Sequence, residues 1–213
     1  MLAKTDLFEA VSLIASTIIK NRDYLNDLDG AIGDADFGTS ISGGFLAVQE
    51  LLPTLETLES GPLLSKVGMT LVSKVGGASG PIFGTIFMKA GQAAGVKTEL
   101  QAADMAEMLE AAINGVKARG KAEPGEKTLV DALQPAAEAF RQAADAGSSI
   151  AECGAKAAAA ARTGAELTKT MIATKGRAHY VGERALGHPD AGAVSIALLF
   201  EAVCAEKNSF RNT

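Results

Sequence analysis

The stretch Asp29-Gly30-Ala31-Ile32-Gly33-Asp34-Ala35-Asp36-Phe37-Gly38-Thr39-Ser40 places three carboxylates among three glycines. The segments on either side carry helical patterning, so this stretch reads as the loop joining two helices. Hard divalent cations take oxygen ligands, and Mg²⁺ is commonly held by one or two carboxylates together with substrate phosphates. Glycines let so short a loop turn back until Asp29, Asp34 and Asp36 point at one spot. The loop then runs into Gly38-Thr39-Ser40, a helix start, and a helix N-terminus accepts anions. Carboxylates for a metal beside amides for phosphate are the parts of a nucleotide site. The competing readings are a solvated turn and a Ca²⁺-loop look-alike. Against the latter, position 12 counted from Asp29 is Ser40, where an EF-hand needs Glu.

Outward from this loop, the apolar residues keep a helical step nearly throughout. Leu7, Val11, Ile14 and Ile18 form one stripe, and Ile41, Phe45, Val48 and Leu52 another. Leu64-Val67-Leu71-Val75, Phe83-Ile86-Ala90, Met105-Leu109-Ala112-Val116 and Leu129-Leu133-Ala136-Phe140 follow. No alternating strand pattern of useful length competes. Thr98-x-x-Gln101 and Ser149-x-x-Glu152 read as capping boxes, and Pro81 suits a first helical position. The expectation is an all-α chain of eight helices, near 5–26, 39–53, 62–75, 81–94, 99–119, 129–145, 150–173 and 191–206, in one domain spanning 1–213. The alanine-rich 150–173 segment is expected to pack closely on its neighbours.

Parity then sorts the connections. Short links favour antiparallel neighbours, so odd-numbered connections share one end. They are the acidic loop, Gly76-Gly77-Ala78-Ser79-Gly80, the 120–128 segment and the 174–190 segment, all rich in Gly and polar residues. The even connections, near 54–61, 95–98 and 146–149, are short and plain. A composite site at one end of the helical array follows.

Composition narrows the function. The chain has 213 residues, 47% hydrophobic and 21% charged, with a net charge of -5 and no long basic run. That disfavours nucleic acid as a partner. No run of 18 apolar residues suggests a membrane span, and no charged-then-apolar leader is evident. Cys153 and Cys204 lack metal spacing and read as buried free thiols of a reducing cytoplasm. His179 and His188, the two histidines, have no partner at ligand spacing, so a histidine metal site or a Ser/His/Asp triad is not supported. Lys121 and Lys127 could balance phosphate charge, but solvation is the expected state. Met69, Met88, Met105, Met108 and Met171 are expected to fill core gaps. Arg177, with its planar fork, suits phosphate.

The motifs together carry a resemblance. Asp29 to Gly38, Gly-Gly-Ala-Ser-Gly-Pro at 76–81, Gly-Lys-Ala-Glu-Pro-Gly at 120–125, Gly-Arg-Ala at 176–178, Gly-Glu-Arg at 182–184 and Gly-His at 187–188 resemble the nucleotide-binding subunit of dihydroxyacetone kinases, in order over nearly the whole chain. The resemblance implies an antiparallel eight-helix barrel with the nucleotide capping one end. It implies that Asp29, Asp34 and Asp36 bind two Mg²⁺ ions holding the phosphates of ADP or ATP. Phe37, Gly38, Thr39, Ser40, Ala78 and Ser79 would line the phosphates. Gly120, Leu129, Arg177, Asp190, Ala191 and Gly192 would surround the rest of the nucleotide. No residue of this chain is assigned a catalytic covalent role. A separate dihydroxyacetone-binding subunit would hold the sugar, and the chain would be a cytoplasmic homodimer.

Two phosphoryl donors stay open: free ATP, or bound ADP rephosphorylated by a phosphohistidine protein of the sugar phosphotransferase system. Three departures from the family pattern are Phe37 where His is usual, His179 where Ser is frequent, and Ala191 where Pro is frequent. They keep open another small ketose as substrate. A non-catalytic nucleotide-binding module is the alternative from a different class, and a metal-dependent phosphohydrolase lacks an evident water-activating base.

Overall fold

The computed structural model describes the backbone of residues 1–209 and the side chains of residues 1–204. Among the described residues its regular structure is helical apart from a two-residue antiparallel pair, β1 (Leu2–Ala3) with β2 (Glu99–Leu100). The α-helices are α1 (Lys4–Lys20), α2 (Arg22–Gly30), α3 (Phe37–Leu51), α4 (Ser60–Lys74), α5 (Ser79–Ala94), α6 (Ala102–Gly120), α7 (Val130–Asp145), α8 (Ile150–Leu167) and α9 (Ala191–Ser209). From α3 to α9 each helix packs on the next, α1 and α2 both lie along α3, and α9 returns to α1. One apolar cluster runs through this ring. Phe45, Phe83, Leu63, Leu71, Leu133 and Ile196 are among its fully buried side chains. Each such side chain contributes about 1.5–3 kcal/mol by leaving water.

The structure revises several expected boundaries. The helix expected over 5–26 is two, because Asn21 interrupts it. Its φ of -94° and ψ of 13° leave the helical region, and its side-chain amide joins its backbone N–H on the Thr17 carbonyl, at 2.8 Å and 3.1 Å. The second piece reaches Gly30, so Asp29 stands on the last turn of α2 and not in a loop. The helix expected from 39 begins at Phe37 and gives way at Leu52 to a 3-10 turn holding Pro53. α5 starts at Ser79, so Pro81 occupies its third position. The cap of α6 is Gln101, whose N–H donates to Asp104 Oδ2 at 2.7 Å; the Thr98–Gln101 box is not used. The expected 150–173 helix stops at Leu167. The Ser149–Glu152 box forms.

The buried stripes match the expected positions closely, and Cys153 is buried and free. Cys204, expected in the interior, is only half-buried. Met69 is 56% exposed and fills no core gap. Among the described residues no helix is long and apolar enough to cross a membrane.

The two ends of the array differ. At one end, β1 pairs with β2, the Gly61 N–H donates to Gly95 O at 2.9 Å, and Lys4 Nζ donates to Thr57 O at 3.4 Å. The opposite end carries the four polar connections. On the wall between α7 and α8, Pro135 lacks the N–H that would bond the Asp131 carbonyl. Gly164 of α8 packs directly on that carbonyl, and a Cβ there would overlap it. Gly43 of α3, by contrast, is exposed, and a Cβ added to it would meet nothing within 4 Å. Gly164→Ala should therefore destabilise the fold by about 1–3 kcal/mol through overpacking. Gly43→Ala should stabilise it by about 0.5–1 kcal/mol through helix propensity. Urea denaturation followed by circular dichroism distinguishes the two signs.

Candidate functional site

The acidic stretch closes on itself through Asp29. Its Oδ2 accepts the N–H of Asp36 at 3.1 Å and of Phe37 at 3.3 Å, so it satisfies donors that a helix start leaves without intrahelical partners. Asp36 is the N-cap residue of α3. The returning loop passes so near Asp29 that a Cβ at Gly33 would collide with its carboxylate, while Ala35 takes a left-handed φ of 61°. Asp29, Asp34 and Asp36 each offer an oxygen, and these atoms lie within 4.8 Å of one another. Three carboxylates at such a spacing repel one another unless a cation stands among them. In this structure the cation is Arg177, whose guanidinium pairs with Asp34 and lies 3.8 Å from Asp36. Both acids and the arginine are exposed, so these pairs contribute at most about 1 kcal/mol each. The donor set is all oxygen and the site is open, which fits Mg²⁺.

The walls come from the other polar connections. Gly76 N–H donates to Ser40 Oγ at 3.0 Å, tying the third connection to α3. Ser79 and Gly80 open α5, and their N–H groups have no partner inside the helix. Together these parts surround a cavity of about 720 Å³, within the size range of small-ligand pockets. Asp29, Asp34, Asp36, Phe37, Ser40, Ala78, Ser79, Gly120, Leu129, Arg177, Asp190, Ala191 and Gly192 all line it. Gly38 and Thr39 do not. Gly38 is pressed against the α2 backbone at Arg22 and Asn26. Thr39 N–H is taken by Asn26 Oδ1 at 2.8 Å, and its hydroxyl accepts from Asn26 Nδ2 at 2.9 Å. Most of the amides at the start of α3 are thus already bonded within the protein.

The apolar side of the cavity is not evident from the sequence. Ile32, Ile82, Phe83, Val116 and Val130 line it, and Phe37 packs on Phe83 with ring centroids 6.2 Å apart. Phe83 and Val116 belong to core stripes, and nothing in their spacing separates a pocket wall from a core face; Ile32, Ile82 and Val130 lie off those stripes. Lys127, expected in solvent, is 1% exposed. Lys121 is exposed, as are His179 and His188.

Asp190 sits at the foot of the cavity before α9, where its Oδ2 accepts the Ala193 N–H at 2.7 Å. Burial pushes its carboxyl up to about 6. The Ala193 N–H and the Lys127 charge pull it back down, while Asp131 and Asp29 push it further up.

Known proteins are similar to this chain in sequence and fold. The family model of the DAK2 domain matches residues 31–205. The chain is 40% identical over 200 residues to the PEP-dependent dihydroxyacetone kinase ADP-binding subunit DhaL of Escherichia coli K12, covering 94% of this chain and 95% of that one. It is 39% identical over 186 residues to the PTS-dependent dihydroxyacetone kinase ADP-binding subunit DhaL of Lactococcus lactis, covering 87% and 88% of the two chains. The crystal structure of the dihydroxyacetone kinase from C. freundii in complex with AMP-PNP and Mg²⁺ superposes with a TM-score of 0.74 at 27% identity. That match covers 94% of this chain and 33% of the larger kinase.

The Asp190 environment predicts a pH effect on the ligand-free protein. Its carboxyl holds a proton up to about 6 when folded, against an ordinary value of 3.8. Between these values the folded state binds more protons than the unfolded state, so this group's contribution to stability falls as pH rises. The stability of the native chain minus that of Asp190→Asn should therefore decline from about pH 4 to about pH 6 and then level off. Urea titrations at successive pH values measure it, and a flat difference would refute the assignment.

Proposed function

The chain belongs to the DAK2-domain family, and from that premise we propose that it is the nucleotide-binding phosphoryl-transfer subunit of a dihydroxyacetone kinase. In this reading residues 1–213 form one nucleotide-binding domain of a cytoplasmic homodimer, and a second subunit holds the ketose. The observation that carries the reading is the convergence of Asp29, Asp34, Asp36 and Arg177 at the mouth of one cavity. It is supported by 40% identity over nearly the full length of an ADP-binding kinase subunit.

Phosphoryl transfer demands positioning and charge neutralisation more than covalent chemistry from the protein. Asp29, Asp34 and Asp36 would hold the metal, with two Mg²⁺ ions as the family resemblance implies. Bound divalent cations neutralise the phosphates and orient the attacking and leaving oxygens. Arg177 supplies a planar fork matched to phosphate oxygens, held in the site by weak exposed pairs that little energy is needed to exchange. Ser79 and Gly80 present the first N–H groups of α5, a natural anion platform. Ile82, Phe83, Val116 and Leu129 give an apolar wall for a flat base. Gly120 would leave that wall clear, since a Cβ there comes within 3.1 Å of Ile82. Neither histidine lies on the cavity wall, which agrees with a chain that delivers a phosphoryl group and leaves capture of the ketose to a partner.

For the donor, the names of the bacterial relatives favour the relay, in which ADP stays bound and is rephosphorylated by a phosphohistidine protein of the sugar phosphotransferase system. Nucleotide extracted from the purified, denatured protein tests this: stoichiometric ADP supports the relay, and an empty site supports exchange with free ATP.

The division of labour gives a sharper expectation. The chain alone should not phosphorylate dihydroxyacetone at an appreciable rate, and turnover should appear when the sugar-binding subunit and the phosphoryl donor are added. With Asp36→Ala in the same mixture, the rate should fall roughly 100-fold or more, the scale of losing one transition-state charge stabiliser. Product formation followed by mass spectrometry decides it, and robust turnover by the isolated chain would overturn the assignment of roles.

A further inference from the structure

Lys127 is out of place for a lysine in a polar loop. It is 1% exposed and holds a left-handed φ of 60°, a conformation costly for any residue with a Cβ. Strained backbone of this kind persists where the surroundings over-determine it, and it clusters at functional sites. Among the described residues the other two non-glycine positions with positive φ, Ala35 and Lys121, also belong to connections at the cavity end. The Lys127 ammonium donates to Thr168 O at 2.6 Å and to His188 O at 2.6 Å. Among the described residues it forms no ion pair with a carboxylate. Asp190 and Asp131 are near enough to favour its charge, against the burial that disfavours it. A buried ammonium bonded to neutral carbonyls is expensive unless it organises something.

What it joins is the base of the longest polar connection. Thr168 follows the last residue of α8 and is itself fully buried. Its hydroxyl donates to Ala165 O at 2.6 Å and accepts the Asp190 N–H at 2.8 Å. Gly187 N–H donates to Lys169 O at 2.8 Å. The chain therefore leaves α8 at 168 and returns at 188–190 to the same spot, where Lys127 bonds both ends. The neighbouring Glu126 reaches the other way: its carboxylate accepts the Thr174 hydroxyl at 2.7 Å, and its carbonyl accepts the Thr174 N–H at 3.3 Å. Between these anchors lies Arg177, and just after them lie Asp190 and Gly192, all on the cavity wall.

We propose that Lys127 is a positioning residue for the nucleotide site: its buried ammonium clasps the Thr168 and His188 carbonyls and so fixes Arg177 and the Asp190–Gly192 edge around one pocket. The role rests on the nucleotide-binding reading above; Lys127 is part of the cavity lining, and its ammonium is directed to the two carbonyls. Lys127→Met keeps the length of the stem and removes the three donors. Titration calorimetry with Mg–ADP should show affinity about tenfold weaker than wild type, or 1.4 kcal/mol. Hydrogen exchange of the free proteins should quicken across 171–189 while α4 and α5 keep their protection. A purely structural role would instead lower protection throughout and leave the Mg–ADP affinity of the folded fraction unchanged.

If Lys127→Met does not fold, Lys127→Gln carries the test, because its amide can still donate to one carbonyl and should give a smaller loss with the same regional pattern. Mg–ADP affinity indistinguishable from wild type in the folded variant, or exchange unchanged over 171–189, would overturn the proposal. Failure of the wild-type protein to bind Mg–ADP would overturn the functional reading instead, and the exchange measurement would still decide whether Lys127 closes the connection.

Discussion

The site depends on one carboxylate serving two helices. Asp29 stands on the last turn of α2, where the helix macrodipole is negative and disfavours an anion. Its Oδ2 nevertheless accepts the Asp36 and Phe37 N–H groups at the positive start of α3. The second helix thus compensates what the first disfavours. This single contact fixes the return of the 31–36 segment, brings Asp34 and Asp36 beside Asp29, and sets the start of α3. Capping of this kind is typically worth about 1 kcal/mol, modest for the fold but decisive for where three negative charges lie.

Around that anchor the molecule separates stiffness from charge. The apolar cluster runs through the array and the β1–β2 pairing holds the far end, while the exposed acids and Arg177 gather at the near end. Arg177, paired with Asp34 and 3.8 Å from Asp36, shows how the acidic loop is stabilised electrostatically: by whatever cation stands among its oxygens. Because the pairs are solvent-exposed, they bind weakly and can be exchanged for stronger partners without disturbing the helices beneath. A phosphoryl-transfer site needs that combination, since rigid placement comes from the scaffold and the charges must meet a ligand.

The long connection between α8 and α9 follows a related logic. It carries only 3-10 turns, at Thr168–Thr170 and Arg177–Ala185, and connections of this length usually either serve a site or wander. Here Thr168, Lys127 and Glu126 anchor it at both ends, so that its exposed middle, including Tyr180, projects from a fixed base. The same anchoring puts Asp190 in surroundings that favour its protonated form, next to a lysine whose charge partly offsets the cost.

The helical class, the stripes that form the core, the convergence of polar connections at one end and the acidic loop could all be read from the chain. Those features are written in local spacing: apolar residues three and four apart, carboxylates among glycines, and links too short for anything but antiparallel neighbours. Breaks set by a single side chain were harder. Asn21 splits the first helix by leaving the helical φ/ψ region, with φ -94° and ψ 13°, and spacing alone does not show that choice. The tertiary structure decided the rest. It buried Lys127, turned Gly38 and Thr39 behind the cavity wall, and assigned Ile82, Phe83 and Val116 to a pocket as well as to the core. The physical reason is that burial and partner choice depend on which distant carbonyls and side chains arrive at the same place. Thr168 and His188 stand 41 and 61 residues from Lys127, beyond the reach of any periodicity or local motif.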